Sequence, residues 1–182
     1  WRRNLYTVLA VGWRNTPAQR KRPERGIGIM AWLIIPIAIS VHTVVSWVFA
    51  MTVRVGWNST IFGPYFVVGA IFSGIGALII VMALFRKFFH LEEYITWRQF
   101  RNLGLLLLVL DGVYLYFTAS EYLTVGYKLA EEEKQLLSML FVGQQAPLFW
   151  TFVLGGLIAP GLLIVFPKTR NIPGLVLASV LV

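Results

Sequence analysis

From Ile27 to Val53 the chain reads IGIMAWLIIPIAISVHTVVSWVFAMTV, without a single Asp, Glu, Lys or Arg. About 20 apolar residues in a helix cross the roughly 30 Å hydrocarbon core of a bilayer, so this stretch can span one with some tilt. Near its middle it places Ser40, His42, Thr43 and Ser46. An ionisable side chain at such depth is costly and usually faces a bundle interior or a wet cavity. His42 is therefore the first functional candidate.

The remainder of the chain agrees with a membrane setting. Hydrophobic residues make up 58% and charged ones 13%, where soluble domains carry about a quarter charged. With no cysteine, structural disulfides and thiolate metal sites are excluded. The only histidines, His42 and His90, are far apart and lack a metal-ligand spacing, so a haem held by two histidines of this chain is not expected. The arginine-rich start does not resemble a cleavable signal peptide. The final apolar run begins only at Gly174 and is too short to cross a bilayer, so the sequence reads as a fragment of a longer protein.

The expected fold class is all-α integral membrane: four complete transmembrane helices and the start of a fifth, one four-helix bundle of a larger protein. Residues 1–26 form a basic interfacial segment in which Pro17 and Pro23 argue against one long helix. Spans are expected near 27–53, 64–85, 102–126 and 146–166, with 174–182 incomplete. Pro36 lies inside the first span, and Gly155, Gly156, Pro160 and Gly161 interrupt the fourth. Gly69, Ser73 and Ala77 form a small-residue stripe that reads as a packing face. The stretches 86–101 and 127–145 read as polar connections, with Glu131, Glu132 and Glu133 solvated.

Alternating loops then give Arg2, Arg3, Arg14, Arg20, Lys21, Arg22, Arg25, Arg86, Lys87, Arg98, Arg101, Lys168 and Arg170 to one side. Only Arg54, Lys128 and Lys134 fall on the other. By the positive-inside rule the first side, with residues 1–26, is cytoplasmic. The net charge of +8 is thereby explained by topology, and no nucleic-acid platform accompanies it.

On the third span Asp111, Tyr114, Thr118 and Glu121 are spaced to share one helical face. On the first, His42 and Ser46 share another. Both spans run outward, and at 1.5 Å per residue His42 lies ~22 Å in, Thr118 ~24 Å, Ser46 ~28 Å and Glu121 ~29 Å, with Asp111 shallower at ~14 Å. In an up-down bundle these faces would look at each other across the core. A histidine between two carboxyls suits proton transfer, because its reference pKa is about 6.5. A quinol, which sheds protons as it loses electrons, could use such a base. The plainer reading is that His42 bonds a backbone carbonyl or Ser46 and locks helices together.

SVHTVVSWVFA (Ser40 to Ala50) followed by GWNSTIFGPYFVVGAIFSG (Gly56 to Gly74) resembles the NrfD/PsrC-like polysulfide reductase membrane subunits, among them those of alternative complex III. EYIT (Glu93 to Thr96), YFTASEYLT (Tyr116 to Thr124) and APLFWT (Ala146 to Thr151) continue the match. The resemblance implies a subunit of eight to ten spans in two four-helix bundles, of which this fragment supplies mainly the second. It implies electron exchange between a quinone or menaquinone pool and an iron–sulfur partner subunit, with iron–sulfur and haem groups confined to partners. It also implies other membrane subunits, a bacterial inner membrane and, in some members, proton movement. His42 falls on the family's histidine and Glu121 on its EYLT-like glutamate. Asn58 stands where the family commonly has histidine, and Asp111 where a small or neutral residue is usual. The family's quinone site is associated mainly with the first bundle. Two readings from other classes remain: a proton-coupled transporter, favoured by the interrupted fourth span, and a structural anchor whose polar stripe is interhelical glue.

Overall fold

The computed structural model describes residues 10, 12–13, 16–52, 56–57, 59–128 and 130–182. Asn58 and Arg54 lie outside the described residues. Among the described residues six helices follow one another: α1 (Pro17–Ala50), α2 (Phe62–Phe88), α3 (Trp97–Lys128), α4 (Glu131–Phe141), α5 (Ala146–Val165) and α6 (Ile172–Leu181). The first three and α5 are long and apolar enough to cross a membrane. The described chain is all-helical, as its apolar runs required.

Two compact units divide the chain at Val41 and His42. In the first, α1 starts at Pro17 and continues through Pro23, about three turns before the expected span and against the expectation that these prolines prevent a long helix. Thr16 and Gln19 explain the start. The Gln19 amide donates to Thr16 Oγ1, and the Thr16 amide donates to Gln19 Oε1, each at 3.3 Å. This reciprocal capping box satisfies two orphan donors. Pro17 then occupies the first helical position, where a missing N–H costs nothing.

The second unit holds the core. Phe72, Ile75 and Ile79 of α2, Phe100 and Leu107 of α3, Leu157 and Ile164 of α5, and Leu175 and Ala178 of α6 bury one another. Glycines set the approach of the helices. A β-carbon at Gly104 would stand 2.6 Å from Leu175, and one at Gly76 would stand 3.3 Å from the Ser179 carbonyl oxygen. Of the expected packing stripe, Gly69 packs against Tyr114 while Ser73 and Ala77 do not pack. Gly76 is buried, whereas Ser73, Gly74 and Ala77 are exposed.

The connections are more ordered than polarity suggested. Arg86 Nη1 donates to the Ile95 carbonyl at 2.7 Å, tying the end of α2 to the start of α3. At the start of α3 the Gln99 side chain does the capping, its Oε1 accepting from the Thr96 amide at 2.9 Å and from the Thr96 hydroxyl. This cap starts α3 at Trp97 rather than near 102. Residues expected as a second polar loop form α4, with acidic residues in its first turn, where the helix dipole favours negative charge. Within α5, Thr151–Ile158 is wound as a π-helix; the Ala159 amide reaches back to the Leu154 carbonyl, and the next residue, Pro160, has no amide to donate. The interrupted span is therefore a change of winding and not a break in the helix.

Candidate functional site: a polar face on α3

Helical periodicity brings Asp111, Tyr114, Thr118 and Glu121 onto the side of α3 that meets α2 and α5. Asp111 is 5% exposed. Its Oδ2 presses on Gly161 of α5, where a β-carbon would lie only 2.5 Å away. Its Oδ1 is buried and has no hydrogen-bond partner among the described residues. Such an oxygen is rare enough to demand a role.

Farther along, the Tyr114 ring stacks on Tyr65 of α2, with centroids 4.6 Å apart and planes 15° from parallel. Phe152 of α5 meets it edge-on at 6.1 Å. Gly69 makes room for the stack, since a β-carbon there would reach within 3.0 Å of the Tyr114 ring. Thr118 Oγ1 donates to the Tyr114 carbonyl at 2.8 Å. Its one proton is then committed, so the 3.2 Å contact between Tyr65 Oη and Thr118 Oγ1 has Tyr65 as donor. The Tyr65 and Thr118 hydroxyls thus have a defined direction.

At the far end Glu121 accepts a hydrogen bond from Ser59 Oγ at 2.5 Å. Ser59 belongs to the turn before α2 and also accepts from the Ile61 amide at 3.3 Å. Behind them lies a cavity of about 280 Å³, lined by Ser59, Thr60, Ser120, Glu121, Thr124, Lys128 and Glu133 among others. Glu133 Oε2 is buried there without a hydrogen-bond partner among the described residues. The solvated role expected for Glu133 is therefore corrected: α4 folds it into the cavity wall.

His42 and Ser46 meet α2 at its opening turns. The His42 ring lies 6.2 Å from Phe66. Ser46 is fully buried and donates to the Thr43 carbonyl at 2.7 Å; its Oγ is 3.6 Å from where a Gly63 β-carbon would be. These opening turns touch both groups, through Gly63 and Phe66 toward α1 and through Tyr65 toward α3. Neither Tyr65 nor Ser59 stands out in the sequence, and Glu133 reads there as a surface charge. Tyr65 carries one signal, because it lies four residues before Gly69 and so shares its face. Among the described residues no cluster of three or more His, Cys, Asp or Glu could hold a metal ion.

The sequence profile of the family described as polysulphide reductase, NrfD, matches residues 6–182. The chain belongs to the NrfD family. With four spanning-length helices, this member is a multi-pass membrane protein. One relative, from Halobacterium salinarum, carries a provisional name as a membrane subunit of dimethyl sulfoxide reductase. It is 30% identical over 159 residues, which cover 81% of this chain and 34% of that one. Another is the Hdr-like menaquinol oxidoreductase integral membrane subunit of Archaeoglobus fulgidus, 29% identical over 158 residues, covering 83% and 38%. This chain spans little more than a third of the length of these curated NrfD relatives.

Proposed function

We propose that this chain is part of the membrane subunit of a respiratory complex that oxidises quinol and passes the electrons to an iron–sulfur partner subunit. Other membrane subunits complete the assembly, and iron–sulfur and haem groups reside in the partners. In this reading the α3 face conducts the protons that quinol sheds. Glu121, Asp111 and His42 hold protons in turn, and the hydroxyls of Tyr65, Tyr114, Thr118 and Ser46 line the route. The complex sits in a bacterial cytoplasmic membrane, with residues 1–26 inside. NrfD membership and a relative named as a menaquinol oxidoreductase subunit support the oxidoreductase half of the reading.

The observation that carries the proton half is the Ser59–Glu121 hydrogen bond opening on the polar cavity. A carboxylate between a hydroxyl and a hydrated space can take up a proton on one side and release it on the other. The test uses the whole complex in sealed vesicles, following quinol oxidation and proton appearance together. Glu121→Gln keeps the shape and removes the titrating group, and should lower proton release about 100-fold, the scale of a lost general base. Wild-type release in this variant and in His42→Ala would leave only the structural-anchor reading. The π-wound α5 gives the transporter reading its one supporting observation. Quinol-independent proton flux driven by a co-substrate would favour it.

A further inference from the structure

Six cations gather where the apolar runs of α2, α3, α5 and α6 begin or end: Arg86, Lys87, Arg98, Arg101, Lys168 and Arg170. Folding joins the two turns that carry them. Ile95 of the α2–α3 turn and Ile172 at the start of α6 both pack against the core cluster that holds Phe100. The close approach of Gly104 to Leu175, where a β-carbon would stand 2.6 Å away, sets the first turns of α3 and α6 side by side. Arg101 lies one turn before Gly104 and shares its face. Arg170 directly precedes Asn171, which caps α6. The two arginines therefore flank one seam.

Arg86 is committed to the Ile95 carbonyl. The other five make no ion pair among the described residues, although Glu92 and Glu93 belong to the same turn. Arg170 is nevertheless half-buried. A partly desolvated guanidinium without an anion is costly, and its planar fork of donors matches a phosphate. Keeping short basic connections on one side of a membrane needs charge alone. It does not require two such turns to pack together, or one arginine to be covered. Beside the cations Phe88, Phe89 and Tyr94 are 70%, 64% and 76% exposed, and exposed aromatic residues favour headgroup level. One turn deeper, Leu84, Phe85 and Val165 present apolar surface. A soluble anion would leave both zones uncovered, whereas an amphiphilic one fits all three.

We propose that the seam between the α2–α3 and α5–α6 turns binds the phosphate of an anionic phospholipid. Arg101 and Arg170 hold the phosphate, Lys87, Arg98 and Lys168 surround it, and the acyl chains lie along the exposed apolar residues beneath. A phosphate there offsets the repulsion of like charges that folding brings together, and so fastens the start of α3 to the start of α6. The site is independent of the quinol-oxidising reading, because it needs only the bilayer.

The test places the whole complex in phosphatidylcholine vesicles with a phosphatidylglycerol that carries a diazirine close to its headgroup. The expected crosslinks map to residues 86–101 and 166–174 and exceed those of a matched phosphatidylcholine probe. Excess unlabelled phosphatidylglycerol removes them. Arg101→Gln combined with Arg170→Gln should weaken labelling about 25-fold, roughly fivefold for each cation at a membrane surface. Lys134→Gln, at the opposite end of the bundle, should leave it unchanged. If the double variant fails to assemble, the comparison of the two probes on the unsubstituted complex decides alone. Equal labelling by the phosphatidylcholine probe would overturn the proposal, since the seam would then be ordinary lipid boundary. Competition by inorganic phosphate as strong as that by phosphatidylglycerol would overturn it too, by making this a site for small anions. So would carbodiimide coupling of Lys87 or Lys168 to a carboxylate of another subunit without labelling by the lipid probe, which would make the seam a protein interface.

Discussion

Gly161 has no side chain where Asp111 needs the room. In most helical positions replacing glycine by alanine gains roughly 0.5–1 kcal/mol. Here the added carbon would stand 2.5 Å from Asp111 Oδ2, and overpacking of this kind costs about 1–3 kcal/mol. Gly161→Ala should therefore lower the thermal midpoint of the purified complex, and adding Asp111→Ala should restore it. A neutral or stabilising Gly161→Ala with Asp111 intact would show that the contact is not tight. Tyr65 offers a second test. Tyr65→Phe keeps the ring stack on Tyr114 and removes the hydroxyl that bonds Thr118, about 0.5–1.5 kcal/mol for each hydrogen bond lost. Tyr65→Ala loses the stack as well and should fall further by chemical denaturation. The spacing of Asp111, Tyr114, Thr118 and Glu121 was legible in sequence because helical periodicity fixes a face without reference to neighbours. Tyr65 and Ser59 were not, because partners across a helix pair depend on rotation and depth of approach. Gly69 and Gly76 set both, and only in three dimensions.

Among the elements, the helix starts were hard to place because two local signals compete: proline argues for a break and Thr-x-x-Gln for a cap. TPAQ at the start of α1 closes a reciprocal box, and in TWRQ at the start of α3 Gln99 Oε1 takes both the amide and the hydroxyl of Thr96; each extends its helix beyond the apolar run. Gln99→Ala should cost about 0.5–1.5 kcal/mol and speed hydrogen exchange in the first turn of α3, while exchange in the α2 core stays slow. Unchanged exchange at residues 97–99 would mean that Arg86 holds this end by itself. The α4 helix was hidden because its opening Glu131–Glu133 run is polar enough to pass for a loop. Its contact with the turn before α2 is specific: Gly56 has φ +85°, and a β-carbon there would lie 2.8 Å from Leu136 of α4. The π winding of α5 was half legible, since Gly155, Gly156 and Pro160 mark a weak ladder. They do not say whether such a ladder kinks, breaks or widens.

At the scale of the whole molecule the charge distribution makes the firmest prediction. The basic residues near the α2–α3 and α5–α6 connections, Arg86, Lys87, Arg98, Arg101, Lys168 and Arg170, far outnumber Lys128 and Lys134 at the α3–α4 end. Short basic connections are retained in the cytoplasm because moving them across the membrane is costly. With no cysteine in these 182 residues, a cysteine introduced here can be read against the unsubstituted complex with a membrane-impermeant maleimide. His90→Cys and Lys168→Cys should react only in inverted vesicles, and Lys134→Cys only in right-side-out ones. The same assay bears on Glu121, because the cavity it lines includes Lys128 and Glu133 and must share the side on which Lys134 is found. Labelling of Lys134→Cys from the cytoplasmic face would invert the bundle. Glu121 would then have to take up protons from the cytoplasm where the proposed route has it release them outside.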